Sequence, residues 1–104
     1  MNELIARHEQ TVRQFPQNEL ARFSLGKALF DAGRFAEARE HLTVALQKKP
    51  DWMVVQILVG KCQQALGDRE AARTAFERAL KLAVDQHHEG PQMELEQLLE
   101  DLKT

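Results

Sequence analysis

Apolar residues along the chain recur at the spacing of helices, and the strict alternation typical of strands is absent. The clearest stripe lies near the C-terminus, at i, i+3, i+4 and i+7, and consists of Leu95, Leu98, Leu99 and Leu102. Proline and glycine separate the apolar segments at regular places. The pattern predicts six helices, near residues 2–14, 18–32, 35–49, 52–66, 69–86 and 91–103.

The chain also repeats itself at a spacing of 34 residues. Positions one period apart often carry the same residue, as in the pairs Gly26/Gly60, Lys27/Lys61, Gly33/Gly67, Ala38/Ala72, Arg39/Arg73, Ala45/Ala79, Leu46/Leu80 and Asp51/Asp85. A fixed period of this length is typical of stacked helix pairs, whose usual work is to bind another protein.

The ends of the helices can be predicted from single residues. Gly33 and Gly67 lie where consecutive helices turn, and we expect both in the left-handed conformation that ends a helix. Asn18 and Asp51 are expected to cap the helices that follow them. The pair 90–91, Gly-Pro, is expected to end the fifth helix and to start the sixth.

These residues resemble the tetratricopeptide repeat, a 34-residue helix-turn-helix unit with the pattern W-x2-L-G-x2-Y, then A-x3-F, A and P. The first period, residues 19–52, matches it with Leu25, Gly26, Ala38, Leu42, Ala45 and Pro50. The second, residues 53–86, matches it with Val59, Gly60, Ala72, Phe76 and Ala79, and has Val84 near the place of the proline. The two aromatic positions of the first helix depart from the pattern, being Arg22 and Leu29 in one period and Gln56 and Gln63 in the other.

The resemblance is to small bacterial-type tetratricopeptide proteins, and it implies an all-α fold, a right-handed α-solenoid of antiparallel helix pairs with about six helices. Residues 1–104 would form a single domain. Within it, residues 2–14 would be an N-terminal half-repeat helix, 19–52 and 53–86 two repeats, and 91–103 a C-terminal capping helix with a polar outer face.

Charge and composition exclude several other classes of protein. The formal net charge of −2 argues against nucleic-acid binding, which needs a concentrated basic face. The N-terminus lacks the order of a signal peptide, and the longest apolar stretch, 52–60, is too short to span a bilayer. We therefore expect a cytoplasmic protein without membrane insertion.

Residues that could carry catalysis or bind a metal are scattered. His87 and His88 are adjacent on the chain and point about 100° apart on a helix, so they cannot chelate as an i, i+4 pair does. Cys62 takes the small position of Ala28 one period earlier, and we interpret it as buried filler. Phosphate loops, paired Cys-x-x-Cys and Ser/His/Asp arrangements are absent. We predict no enzyme activity, cofactor or metal.

The resemblance also implies a binding groove, because the first helices of such repeats line a concave face that binds peptides or helices of partner proteins. The groove positions correspond here to Leu20, Phe23, Ser24, Lys27, Phe30, Val54, Ile57, Leu58, Lys61 and Gln64. Packed helices lie about 8–10 Å apart, so the equivalent Lys27 and Lys61 suit one carboxylate between them or two acidic residues of a peptide. Phe23 and Ile57 argue against the polar clamp with which some co-chaperones bind acidic tails.

Two alternatives remain open for the surface around this groove. Residues 52–60 are apolar nearly all round and must be covered on both sides, so the patch at residues 52–58 could instead form a homodimer. Residues 85–104 carry six acidic side chains and one lysine. The C-terminal helix could therefore lie beside the two groove lysines and compete with acidic ligands, or it could only cap the stack.

Overall fold

The computed structural model describes residues 2–103, and over that range it consists of α-helices without strands. Each helix packs on the next along the chain, so the fold is an all-α solenoid, as predicted. The six helices are α1 (Glu3–Gln14), α2 (Glu19–Asp31), α3 (Phe35–Lys48), α4 (Met53–Ala65), α5 (Arg69–Asp85) and α6 (Glu89–Asp101).

Polar side chains cap three of these helices. The Asn18 Oδ1 accepts a hydrogen bond from the Ala21 N–H at 2.9 Å, as predicted, and Asn2 and Asp68 cap α1 and α5 in the same way. The predicted cap at Asp51 is wrong. Because α4 begins at Met53, its N-cap position falls on Trp52, which has no side-chain acceptor to offer.

Left-handed residues end three helices. Gly33 (φ 78°) and Gly67 (φ 85°) adopt this conformation after α2 and α4, as predicted. The end of α5 differs, because His87 (φ 58°) takes the left-handed position and the His88 N–H then donates to the Ala83 carbonyl at 2.9 Å. The residues at 90–91 lie inside the first turn of α6, where a missing proline N–H costs nothing, so they do not separate the two helices.

Replacing His87 by glycine is expected to stabilise the protein by about 0.5–1 kcal/mol. A Cβ in the left-handed region costs about 1–2 kcal/mol, and the greater conformational entropy that glycine loses on folding offsets part of the gain from removing it. Urea unfolding measures the change. Gly33→Ala is the reverse control, since no atom lies within 4 Å of its added Cβ and backbone strain alone should destabilise it. Equal stability of wild type and His87→Gly would contradict this account.

Two apolar clusters form the core, and α4 belongs to both. One side of α4 packs with α1, α2 and α3 through residues that include Val55, Val59 and the fully buried Cys62. The other side packs with α5 and α6 through Met53 and Ile57. An apolar surface all round α4 is therefore covered on both sides by the chain itself.

The C-terminal helix closes the second cluster. Leu95 is fully buried there, and Leu98, Leu99 and Leu102 pack against the cluster, which confirms the predicted stripe. Arg69 at the start of α5 donates to the Leu102 carbonyl at the end of α6. The helix begins 36 residues after α4, whereas α4 begins 34 after α2, because α5 runs about one turn longer than α3.

Candidate functional site

The exposed sides of α2, α4 and α6 form one surface, which we call the inner face. It is built from the first helices of successive pairs, with α2 packed on α4 and α4 joined to α6. Leu20 on α2 and Val54 on α4, one period apart, remain 63% and 47% exposed. Met93 on α6 adds a third large apolar side chain, 70% exposed. The helices α2, α4 and α6 therefore each present an uncovered large apolar residue.

An aromatic pair stands beside these apolar residues. The rings of Phe23 and Trp52 lie 4.8 Å apart at an interplanar angle of 36°, and the Lys49 ammonium lies 5.3 Å from the centre of the Trp52 ring. Both rings are half-buried. The groove prediction omitted Trp52, which the sequence predicted only as part of the apolar patch at residues 52–58.

The two groove lysines already have carboxylate partners. The Lys27 Nζ lies 2.8 Å from both carboxylate oxygens of Asp31, one turn along α2. The Lys61 Nζ on α4 lies 3.3 Å from the Glu94 Oε2 on α6. The acidic C-terminal helix thus contacts the second lysine, as one of the two alternatives for that helix anticipated.

Not every predicted groove residue reaches the surface. Ile57 and Leu58 are each only 7% exposed and belong to the core, because α4 is covered from both sides. Ser24, Phe30 and Gln64 are half-buried, and the Phe30 ring packs edge-on against Phe35 at 5.4 Å. The exposed part of the predicted set is therefore Leu20, Lys27 and Val54, with Phe23 and Lys61 half-buried beside them.

The apolar segment 52–58 offers little surface to a second copy. Met53, Val55, Ile57 and Leu58 are buried against helices of the same chain. Val54 is exposed, and Trp52 is half-buried. A homodimer through this segment would have to rest on those two side chains and their neighbours.

A partly buried hydrogen bond between two side chains joins α2 to α3. The Arg22 Nη1 donates to the His41 Nδ1 at 3.0 Å, and the Arg22 Nε donates to the Pro16 carbonyl at 2.8 Å. Burial lowers the pKa of His41, and the Arg22 charge lowers it further against the opposing effect of Glu37, Glu40 and Glu9. The imidazole must be neutral to accept from Arg22.

Stability is expected to fall as the pH drops through the folded-state pKa of His41, which lies below its ordinary value of 6.5. In that range the unfolded chain binds a proton at His41 more readily than the folded chain does. The contribution of His41 to the free energy of unfolding is therefore complete above about pH 6.5 and is lost below it. Urea unfolding between pH 7.5 and pH 5 measures it. His41→Gln keeps an acceptor for Arg22 without titrating, and an unchanged pH slope in that variant would contradict the assignment.

The potentially reactive thiol of Cys62 is part of the apolar core. Burial raises the pKa of the Cys62 thiol to about 11, which leaves it protonated and unreactive. Within residues 2–103, no group of three or more His, Cys, Asp or Glu side chains is arranged to hold a metal ion. Over the same residues, no helix has the length and apolar character needed to cross a membrane.

The fold and the inner face define a helical-repeat protein with an uncovered face on the first helices of its pairs. The chain belongs to the tetratricopeptide repeat family, whose models match residues 29–89 and 5–51. It is 39% identical over 75 residues to the TPR repeat-containing protein PA0015 of Pseudomonas aeruginosa, covering 72% of this chain and 71% of that protein.

Two solved structures share the architecture. The solution structure of protein BPP2914 from Bordetella parapertussis has a TM-score of 0.84 and 34% identity, covering 99% of this chain and 90% of that one. The first TPR of Spaghetti (RPAP3), solved bound to the HSP90 peptide SRMEEVD, has a TM-score of 0.79 and 21% identity, covering 96% and 78%. At that identity the second likeness concerns the fold alone.

Proposed function

We propose that the protein is a non-enzymatic adaptor that binds a peptide or helix of a partner protein on the inner face. The observation that carries this proposal is the exposure of Leu20 and Val54 at equivalent positions of α2 and α4, with Met93 exposed on α6. Large apolar side chains left uncovered on one face often mark an interaction site. Lys27 and Lys61 beside them favour a ligand that combines apolar and acidic residues.

The peptide would lie across the helices, and its carboxylates would take the places of Asp31 and Glu94 beside Lys27 and Lys61. Lys27 and Lys61 are held by partly exposed ion pairs, which are worth about 0–1 kcal/mol each, so an acidic ligand residue can displace Asp31 or Glu94. Glu94 then has a regulatory role as well as a structural one, since it occupies Lys61 when no ligand is bound. Phe23 on this face disfavours a purely polar clamp of the kind that binds acidic tails.

Charge reversal at Lys27 and Lys61 tests the adaptor function. The variant Lys27→Glu/Lys61→Glu is expected to reduce recovery of a partner from lysate by at least about ten-fold, because each reversal replaces an attraction to an acidic ligand residue by a like-charge repulsion. Quantitative mass spectrometry of affinity-captured proteins measures it. Glu94→Gln should act oppositely and raise recovery, because it frees Lys61.

Two controls separate binding from folding and charge. Lys48→Glu/Lys103→Glu changes the net charge equally on exposed residues outside the inner face. Lys61→Glu/Glu94→Lys restores the ion pair between α4 and α6 with its charges exchanged, so it reports whether Lys61 acts only by holding α6. Equal capture by wild type and the charge-reversed variant would refute the inner-face proposal, and a dimer in light scattering would favour self-association.

A further inference from the structure

A second groove lies on the opposite side of α4 from the inner face. The second helices of the two repeats, α3 and α5, both pack on α4, and a shallow groove runs between them over α4. Two adjoining pockets of about 330 and 220 Å³ make up this outer groove, and they share Gln56 and Arg78. Thr43 and Leu46 line the α3 side of the first pocket, and Thr74 lines the α5 side.

Two glutamines form the base of the outer groove at positions where the repeat pattern has large aromatic residues. Gln56 stands in place of the tryptophan and Gln63 in place of the tyrosine. An aromatic ring at each position would fill the space between the helices. The slimmer amide side chains leave it open and put hydrogen-bonding groups at its base.

These two amides lack hydrogen-bond partners within residues 2–103. The Gln63 Oε1 is buried without a donor, and the side chain of Gln56, only 5% exposed, makes no hydrogen bond. A buried carbonyl oxygen without a donor costs about 1–3 kcal/mol, so the Gln63 Oε1 would be expensive as a purely structural choice. Polar groups of this kind indicate a ligand that completes their hydrogen bonds.

The spacing of the amides matches an extended polypeptide. Gln56 and Gln63 are two helical turns apart, about 10.5 Å along α4, which equals about three residues of extended chain. Each amide offers a carbonyl acceptor and an NH2 donor, the complement of a backbone N–H and C=O. Two such amides can therefore bond to peptide units about three residues apart, which face the same side of an extended chain in the polyproline II conformation, without reading its side chains.

Charge adds one element of selectivity. Arg78 lines both pockets where they adjoin, and its guanidinium has no ion pair or side-chain hydrogen bond within the described residues. Lys81, at the far end, is already paired with Asp85 at 2.9 Å. We infer that the outer groove is a second binding site, for an extended peptide segment that carries a carboxylate opposite Arg78 and whose backbone bonds to Gln56 and Gln63.

Nuclear magnetic resonance of the labelled full chain tests this inference. The probes are two mixtures of short, end-blocked peptides of random sequence that differ only in a fixed central aspartate or lysine. The aspartate mixture is expected to shift the side-chain NH2 signals of Gln56 and Gln63 together, with the neighbouring Gln64 unmoved. Arg78→Ala should weaken the response by about ten-fold, whereas Arg73→Ala, already paired with Glu70, should not.

A double variant separates ligand binding from structure. Gln56→Met/Gln63→Met is expected to raise the melting temperature of the free protein by about 4–8 °C, since it removes the unpartnered Gln63 oxygen, and to abolish binding of the aspartate mixture, measured from the backbone amide signals of Thr74 and Arg78. The Lys27→Glu/Lys61→Glu variant should keep that response, so failure of the inner-face proposal would leave this one standing. The inference is overturned if neither mixture shifts the two amides, if the aspartate mixture shifts only Lys27 and Lys61, or if the double variant melts lower or still binds.

Discussion

Replacing Phe76 by alanine is expected to lower the free energy of unfolding by about 3–5 kcal/mol, the usual cost of deleting a buried ring. Phe76 is fully buried in the cluster that joins α4, α5 and α6. For a domain near 100 residues that loss corresponds to a fall in melting temperature of roughly 12–40 °C. Calorimetry measures it directly.

Phe15→Ala provides the matched control, because Phe15 is 57% exposed at the end of α1 and its removal should change stability by no more than about 0.5 kcal/mol. The Phe76→Ala substitution should also loosen the packing of α6, since Leu95 packs in the same cluster as Phe76. If Phe76→Ala melted within a few degrees of wild type, the packing described for α4, α5 and α6 would be wrong.

Replacing Gly60 by alanine is expected to destabilise the protein by about 1–3 kcal/mol, although alanine is the better helix former by about 1 kcal/mol. A Cβ on Gly60 would lie 2.5 Å from Cε1 and 2.7 Å from Cδ1 of Phe76, a ring with no room to move. In the first repeat, a Cβ on the equivalent Gly26 would lie 2.6 Å from Cγ of Leu42. Urea unfolding at neutral pH measures the effect.

Gly90→Ala is the control for this substitution. Gly90 lies in the first turn of α6 with no atom within 4 Å of an added Cβ, so alanine there should be neutral or stabilising. Adding Phe76→Ala to Gly60→Ala should cost less than the two single losses together, because the clash partner is gone. Strict additivity of the two changes would show that Gly60 matters for another reason.

Much of this fold follows from the 34-residue period alone. Each glycine that approaches a second helix is paired one period later, and so are the left-handed glycines at 33 and 67. The predicted end of α5 near residue 86 agrees with the structure, but the break at 90–91 was wrong, because His87 takes the left-handed position and α6 already begins at Glu89. A repeat length read from the first two periods cannot predict where α6 begins.

The inner face was predictable only in part, for a related reason. A repeat alignment gives equivalent residues the same role, yet Phe23 is half-buried and Ile57 is buried, because α6 covers only the second repeat. The carboxylate partners of Lys27 and Lys61 come from the same chain, and Glu94 lies outside the repeat register. The Lys27–Asp31 pair has the i, i+4 spacing of a single helix, whereas the burial of Ile57 and the partner of Lys61 depend on contacts between helices, about which periodicity carries no information.

Because α4 belongs to both apolar clusters, it determines how the molecule unfolds. Repeat arrays can unravel from an end, one unit at a time, when neighbouring units share only a thin interface. Here the central helix supplies side chains to both clusters, so neither cluster can open without exposing α4 to water. The ends can fray while the middle persists, and the two clusters are expected to unfold together once α4 is exposed.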